Sequence, residues 1–315
     1  MADRLRGLRL ALIALAVAAG GWWLLFGGAS RTADQQPARE PAGESARANL
    51  DAGTLQTIRA TGRVRIGYAN EAPYAYLDQE IGAVTGEAPV IARELLRELG
   101  ANAIEPVLTE FGSLIPGLQA GRFDLIAAGM YITPERCQQI RFSSPTYAIG
   151  EAFVVRAGNP KGLHSYTDVA EHDHATLGVV AGTIERSYAR ATGIPDPRVI
   201  VFPDAPSAVA GVAAGRVDAF AGTSLTVDDL LSKSAGAQLE RAEPFEDPVI
   251  DGRPTRGYGA FGFRRSDRAF ADAFDAELER FLGTDRHLEL VAPFGFGAHS
   301  LPPEEATAES LCGAS

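Results

Sequence analysis

The chain holds only two cysteines, Cys137 and Cys312, among 315 residues. That scarcity excludes a small scaffold built on disulfides, and a chain of this length buries a core without one. Positive charge is also short: 29 Lys and Arg stand against 40 Asp and Glu, a net −11 at pH 7. Without residues 1–29, which carry three Arg and one Asp, the balance is −13. Such a chain does not attract nucleic acid or anionic lipid. A phosphate-binding loop, a dinucleotide fingerprint and a nucleophile elbow are all missing. No serine or cysteine stands paired with a base, so the reading is a non-enzyme. The run Glu171-His172-Asp173-His174 has metal-ligand residue types, but no distant ligand set completes it. It reads as a solvated loop, and no metal or other cofactor is expected.

What is present begins with a segment unlike the rest. Arg4, Arg6 and Arg9 precede an apolar run from Leu10 to about Gly28. Residues 1–29 therefore read as an export signal or an uncleaved membrane anchor, which places the remainder outside the cytoplasm. Residues 30–54 have no hydrophobic pattern and read as a disordered linker. Two cysteines in an exported chain point to one disulfide, stapling the C-terminal tail to the body; the alternative is two free buried thiols.

From residue 60 onward, strand and helix signals alternate. Val64 to Tyr68 is a short strand, and Pro89 to Leu99 is a helix burying Ile91, Leu95 and Leu96 with Gly100 as its stop. Phe123 to Ala127 is a buried strand. Thr133 suits an N-cap and Pro134 the first helical position. A second unit opens near residue 156, with a strand from Thr176 to Val180 and then Ala181-Gly182-Thr183. Residues 255–265 form a return strand, and a last helix runs from about Ala269 to Leu282. This alternation gives an α/β fold with largely parallel sheets. The chain also echoes itself: Ala120-Gly121-Arg122-Phe123-Asp124 recurs as Ala214-Gly215-Arg216-Val217-Asp218, a shift that sets Gly129 opposite Thr223. The echo reads as one turn used in two similar lobes. The expected division is 55–155 with 250–315 as one lobe and 156–249 as the other, joined by two crossing segments around a cleft.

Four segments in this order carry a resemblance: Gly67 to Tyr74, Ala120 to Asp124, Thr133-Pro134-Glu135-Arg136, and Phe142 to Tyr147. Together they resemble the polar amino-acid solute-binding family of ABC importers. The resemblance implies a periplasmic-binding-protein-like type II fold and ABC permease subunits as partners, and the chain is expected to be a monomer. It also implies that Arg136 grips a ligand carboxylate, with Gly182 and Thr183 as helix-start partners. Amino-acid binders of this family usually carry an Asp for the α-ammonium where this chain has Thr223.

A narrower similarity is to ectoine/hydroxyectoine-binding proteins. It lies in Asn70-Glu71-Ala72-Pro73-Tyr74, Ile115 to Arg122, Pro134 to Cys137, Pro293-Phe294-Gly295-Phe296 and Leu311-Cys312. It implies that Tyr74, Phe111 and Tyr131 box a ligand ring and that Glu71 meets its nitrogens. Gly129 and Tyr131 follow one strand, Thr183 another, and ligands in open α/β sheets bind beyond such strand ends. The alternatives carried forward are a polar amino-acid binder and an enzyme resembling periplasmic cyclohexadienyl dehydratases, with Glu71 as general acid.

Overall fold

The computed structural model describes residues 53–234, 238–250 and 253–313. The expected export or anchor segment, and the linker up to residue 52, lie outside them. Thr54, assigned to the linker by the sequence pattern, already begins a helix, Thr54–Thr61. Among the described residues no helix is long and apolar enough to cross a membrane.

The chain enters through β1 (Arg63–Tyr68), a hairpin of β2 (Tyr76–Asp78) and β3 (Ala83–Thr85), and the helix Glu87–Glu98. That helix buries Ile91, Leu95 and Leu96 on one face, and Gly100 follows it at φ 102°. Next come β4 (Ala103–Leu108), β5 (Leu125–Tyr131), β6 (Arg141–Phe142) and β7 (Tyr147–Ile149). The second lobe holds β8 (Glu151–Arg156), β9 (Leu177–Val180), β10 (Val199–Phe202), β11 (Ala219–Thr223) and β12 (Leu239–Arg241). A hairpin of β13 (Val249–Ile250) and β14 (Arg253–Pro254) leads back to β15 (Gly257–Phe263) and the helix Arg268–Phe281.

Two mixed sheets result. The first has the order β4-β1-β5-β15-β6, with β7 also on β15; the second has β10-β9-β11-β8-β12. In each, a central strand is parallel to two neighbours (β1 to β4 and β5; β9 to β10 and β11), and an antiparallel strand follows on. The α/β class and the two-lobed architecture are therefore as the sequence pattern requires. One boundary moves. The expected division put residues up to 155 in the first lobe, yet β8 pairs with β11 and β12 in the second sheet. The crossing falls at Gly150, between two strands that an apolar run from Phe142 to Val155 merges into one.

The sequence echo is structural. Gly121 and Gly215 sit at φ 69° and 70°, each just after a helix (Leu114–Gln119 and Ala205–Ala213). The following aspartates bind back to the neighbouring strand in the same way. Asp124 N–H donates to Arg65 O and the Asp124 carboxylate accepts from Arg65 N–H; Asp218 N–H donates to Thr176 O and its carboxylate accepts from Thr176 N–H. The turn thus fixes where β5 and β11 start, and so where their C-terminal ends face each other.

Candidate functional site

Those strand ends, with the loop after β1 and the segment after β9, enclose a cavity between the lobes. It is lined by Glu71, Tyr74, Phe111, Ala128, Gly129, Tyr131, Arg136, Thr183, Ile184, Glu185 and Thr223. Eight residues predicted from sequence for the ligand line it together. The ninth, Gly182, adjoins it through Arg136. The cavity is tight, about 30 Å³, room for one or two waters. A wider groove of about 860 Å³ lies outside it and shares Glu71 and Phe111 with it.

Arg136 is carried by the short helix Pro134–Cys137. Thr133 caps this helix, its hydroxyl accepting from Arg136 N–H, and Pro134 takes the first position. Arg136 is 9% exposed. It donates to Tyr131 O at 2.7 Å and, across the lobes, to Gly182 O at 2.9 Å. It lies 5.6 Å from the centre of the Phe111 ring. Desolvation lowers its pKa, and the Glu185 charge opposes that. A guanidinium has five N–H groups, so donors remain for a ligand anion. Cys137, the next residue, is joined by a disulfide to Cys312, which anchors the terminal helix Ala308–Cys312 on this element.

The opposite wall is a chain of hydroxyls crossing the cleft. Tyr74 Oη donates to Thr223 Oγ1 at 2.7 Å, Thr223 Oγ1 to Thr226 Oγ1 at 3.0 Å, and Thr226 Oγ1 to Glu71 Oε1 at 2.9 Å. Tyr74 and Glu71 belong to the first lobe, both threonines to the second. Burial of the carboxyl pushes Glu71 up to about 7; the Thr226 hydroxyl pulls it down and Glu185 pushes it further up. Thr223 also caps the helix Ser224–Lys233.

The rings are held as a stack of edges. Tyr74 lies 5.4 Å from Tyr147 and 5.6 Å from Phe296, and Tyr131 lies 6.2 Å from Tyr147. Gly129, at φ 65°, makes room for them: a Cβ there would stand 2.6 Å from Tyr74 Cδ1. Tyr147 Oη donates to Gly129 O at 3.0 Å.

The helix-start reading of Gly182 and Thr183 is corrected. The helix there is Glu185–Ala191, with Ile184 at its N-cap and no side-chain cap. Thr183 turns back on its own strand, its hydroxyl and its N–H both donating to Val180 O. Gly182 contributes its carbonyl to Arg136.

Sequence reasoning missed Glu185, Thr226, Tyr147 and Phe296. Glu185 is 4% exposed and its Oε2 has no partner among the described residues. Desolvation raises its pKa, and the Thr183 hydroxyl, the backbone N–H of Glu185 itself and Arg136 oppose that. An acid in a first helical turn is ordinary in sequence, so nothing in the string marked it as facing inward. Thr226 had a signal, three residues after Thr223 and therefore on the same face of its helix.

Known proteins place these observations in context. Residues 64–295 match the family of bacterial extracellular solute-binding proteins, family 3. A probable amino-acid ABC transporter periplasmic-binding protein of Sinorhizobium fredii is 40% identical over 263 residues, spanning 82% of this chain and 86% of that protein. The crystal structure of EhuB in complex with hydroxyectoine is 37% identical with a TM-score of 0.74, covering 83% of this chain and 98% of that one. An ancestral amino acid-binding protein, AncCDT-1, a precursor of cyclohexadienyl dehydratase, is 25% identical with a TM-score of 0.64, covering 76% and 99% respectively.

Proposed function

The chain belongs to the family 3 bacterial extracellular solute-binding proteins, and from that premise we propose that its cleft takes a small cyclic zwitterion, ectoine or hydroxyectoine. Membership makes it the extracytoplasmic solute-binding subunit of an ABC importer of the amino-acid type, working with ABC permease subunits. The observation that carries the ligand reading is the lining of one cavity. Arg136, Glu71 and the rings of Tyr74, Phe111 and Tyr131 meet there, and a hydroxyl, Thr223, stands where the family's amino-acid binders usually carry an Asp.

Ectoine joins a carboxylate to a flat amidinium whose charge is spread over N–C–N. A guanidinium suits the first group, with bidentate geometry. An acid and π faces suit the second; each cation–π contact contributes roughly 0.5–2 kcal/mol. Micromolar binding needs about 8 kcal/mol net, which asks for all of these groups acting in a dry, closed cleft. The tightness of the cavity supports binding by hinge motion. The lobes part, the ligand displaces some of the interlobe hydrogen bonds, and closure re-forms around it.

Isothermal titration of the purified protein with ectoine, hydroxyectoine, glycine betaine, proline, arginine and glutamine tests this. Heat with ectoine or hydroxyectoine at micromolar concentration is expected. Heat with arginine or glutamine and none with either ectoine overturns the reading in favour of a polar amino-acid binder. The Sinorhizobium fredii relative and the second acid, Glu185, favour that outcome as the runner-up. A dehydratase on this scaffold is the remaining reading, supported by Glu71 being held near neutrality, where a general acid works best. Conversion of prephenate or arogenate by the purified protein would establish it.

A further inference from the structure

Several polar atoms of the cavity wall are engaged. Glu71 Oε1 accepts from Thr226, Tyr74 Oη donates to Thr223, Thr183 Oγ1 donates to Val180 O, and Arg136 holds two carbonyls. Two atoms stand apart. The Tyr131 hydroxyl and Glu185 Oε2 are buried in residues 5% and 4% exposed, and neither has a partner among the described residues. Both residues line the same cavity. Two unpartnered buried groups around one cavity are costly unless something fills them.

Their chemistry restricts what does. The tyrosine O–H is a donor, and a carboxyl keeps an acceptor oxygen in either protonation state. A ligand N–H satisfies only Glu185, and a ligand carboxylate only Tyr131. A hydroxyl satisfies both, because it accepts and donates at one atom. Arg136 meanwhile fixes the carboxylate end, since it is the cation lining the cavity.

We propose that Tyr131 Oη and the Glu185 carboxyl form a hydroxyl-recognition subsite, so that the protein prefers a ring-hydroxylated zwitterion, hydroxyectoine, to its unsubstituted form. This rests on the cyclic-zwitterion reading above. Tyr131 and Glu185 come from opposite lobes, so the subsite is complete only in the closed cleft, and the hydroxyl contributes to closure as well as to contact. With the unsubstituted ligand the two atoms stay unpaired or hold a trapped water.

The readout is the ratio of the two affinities, measured by isothermal titration of ectoine and hydroxyectoine against the full chain and two variants. The unmodified protein is expected to bind hydroxyectoine about tenfold more tightly than ectoine. Tyr131→Phe removes only an unpartnered hydroxyl, so its thermal midpoint should hold. It should lower the ratio of hydroxyectoine to ectoine affinity by about tenfold. Glu185→Met, of similar length and without the acceptor, should also bring the ratio toward one, whatever it does to both affinities through Arg136. Equal affinity for both ligands in the unmodified protein, or a ratio unmoved in Tyr131→Phe and Glu185→Met, overturns the subsite while leaving the ligand class standing. No heat from either ligand in the unmodified protein overturns the ligand class, and the subsite with it.

Discussion

Glu71 shows how much of this protein's behaviour sits in single side chains. Burial in the cleft pushes its carboxyl up to about 7. An amidinium placed against it favours the ionised form, so binding drives proton release when the pH lies near or below that value. Affinity for ectoine should therefore rise as pH is raised from about 6 to 8. Titrations in buffers of different ionisation enthalpy should report a proton released, and Glu71→Gln should abolish both effects. Glu87 gives the stability counterpart. It is 2% exposed, and burial lifts its carboxyl from 4.5 to about 7 while Thr146 pulls the other way. A folded-state pKa raised above the unfolded one means stability that is whole below about 4.5 and lost as pH climbs through about 7. The thermal midpoint of the unliganded protein should fall between about pH 5 and pH 8, and Glu87→Gln should flatten that slope.

At the level of elements, the short helix Pro134–Cys137 matters out of proportion to its length. Four residues hold no helix alone. The Thr133 cap, Pro134 and the disulfide from Cys137 to Cys312 hold this one, and Arg136 rides on it. The bond spans 175 residues of sequence, so its removal restores much freedom to the unfolded chain. Cys312→Ser should cost about 2–5 kcal/mol in urea unfolding. It should also weaken ligand binding, because the guanidinium loses the support of its neighbour. Unchanged affinity alongside lost stability would separate the staple from the site. The cap and the proline were legible in the sequence, since their chemistry is local. The partnering of Cys137 with the terminal helix was readable only as a count of two thiols in an exported chain.

Across the whole molecule, function depends on how closely the two lobes meet. Gly112 of the first lobe and Gly182 of the second come together so tightly that a Cβ on Gly182 would stand 2.5 Å from Gly112 Cα. Gly182 also sits at φ 81°, where a side chain is strained. Gly182→Ala should hold the cleft ajar and lower ligand affinity at least about tenfold. Strain of about 1–3 kcal/mol should accompany it. Small-angle scattering should show the ligand-induced contraction diminished relative to the parent protein.

The sequence by itself determined the two similar lobes, the turns that start β5 and β11, and the capped helix bearing Arg136. Each of these follows from periodicity or from bonds between residues a few positions apart. Through resemblance it also named Glu71, Tyr74, Phe111, Tyr131 and Thr223. What only the tertiary structure decided was every relation across the cleft. The hydroxyl chain from Tyr74 to Glu71 joins partners 149 and 155 residues apart, and Gly182 offers Arg136 a carbonyl from the other lobe. Glu185 turns inward with an oxygen left over. No local rule encodes these, because they depend on how one sheet is set against the other, and that is fixed by packing summed over the whole chain.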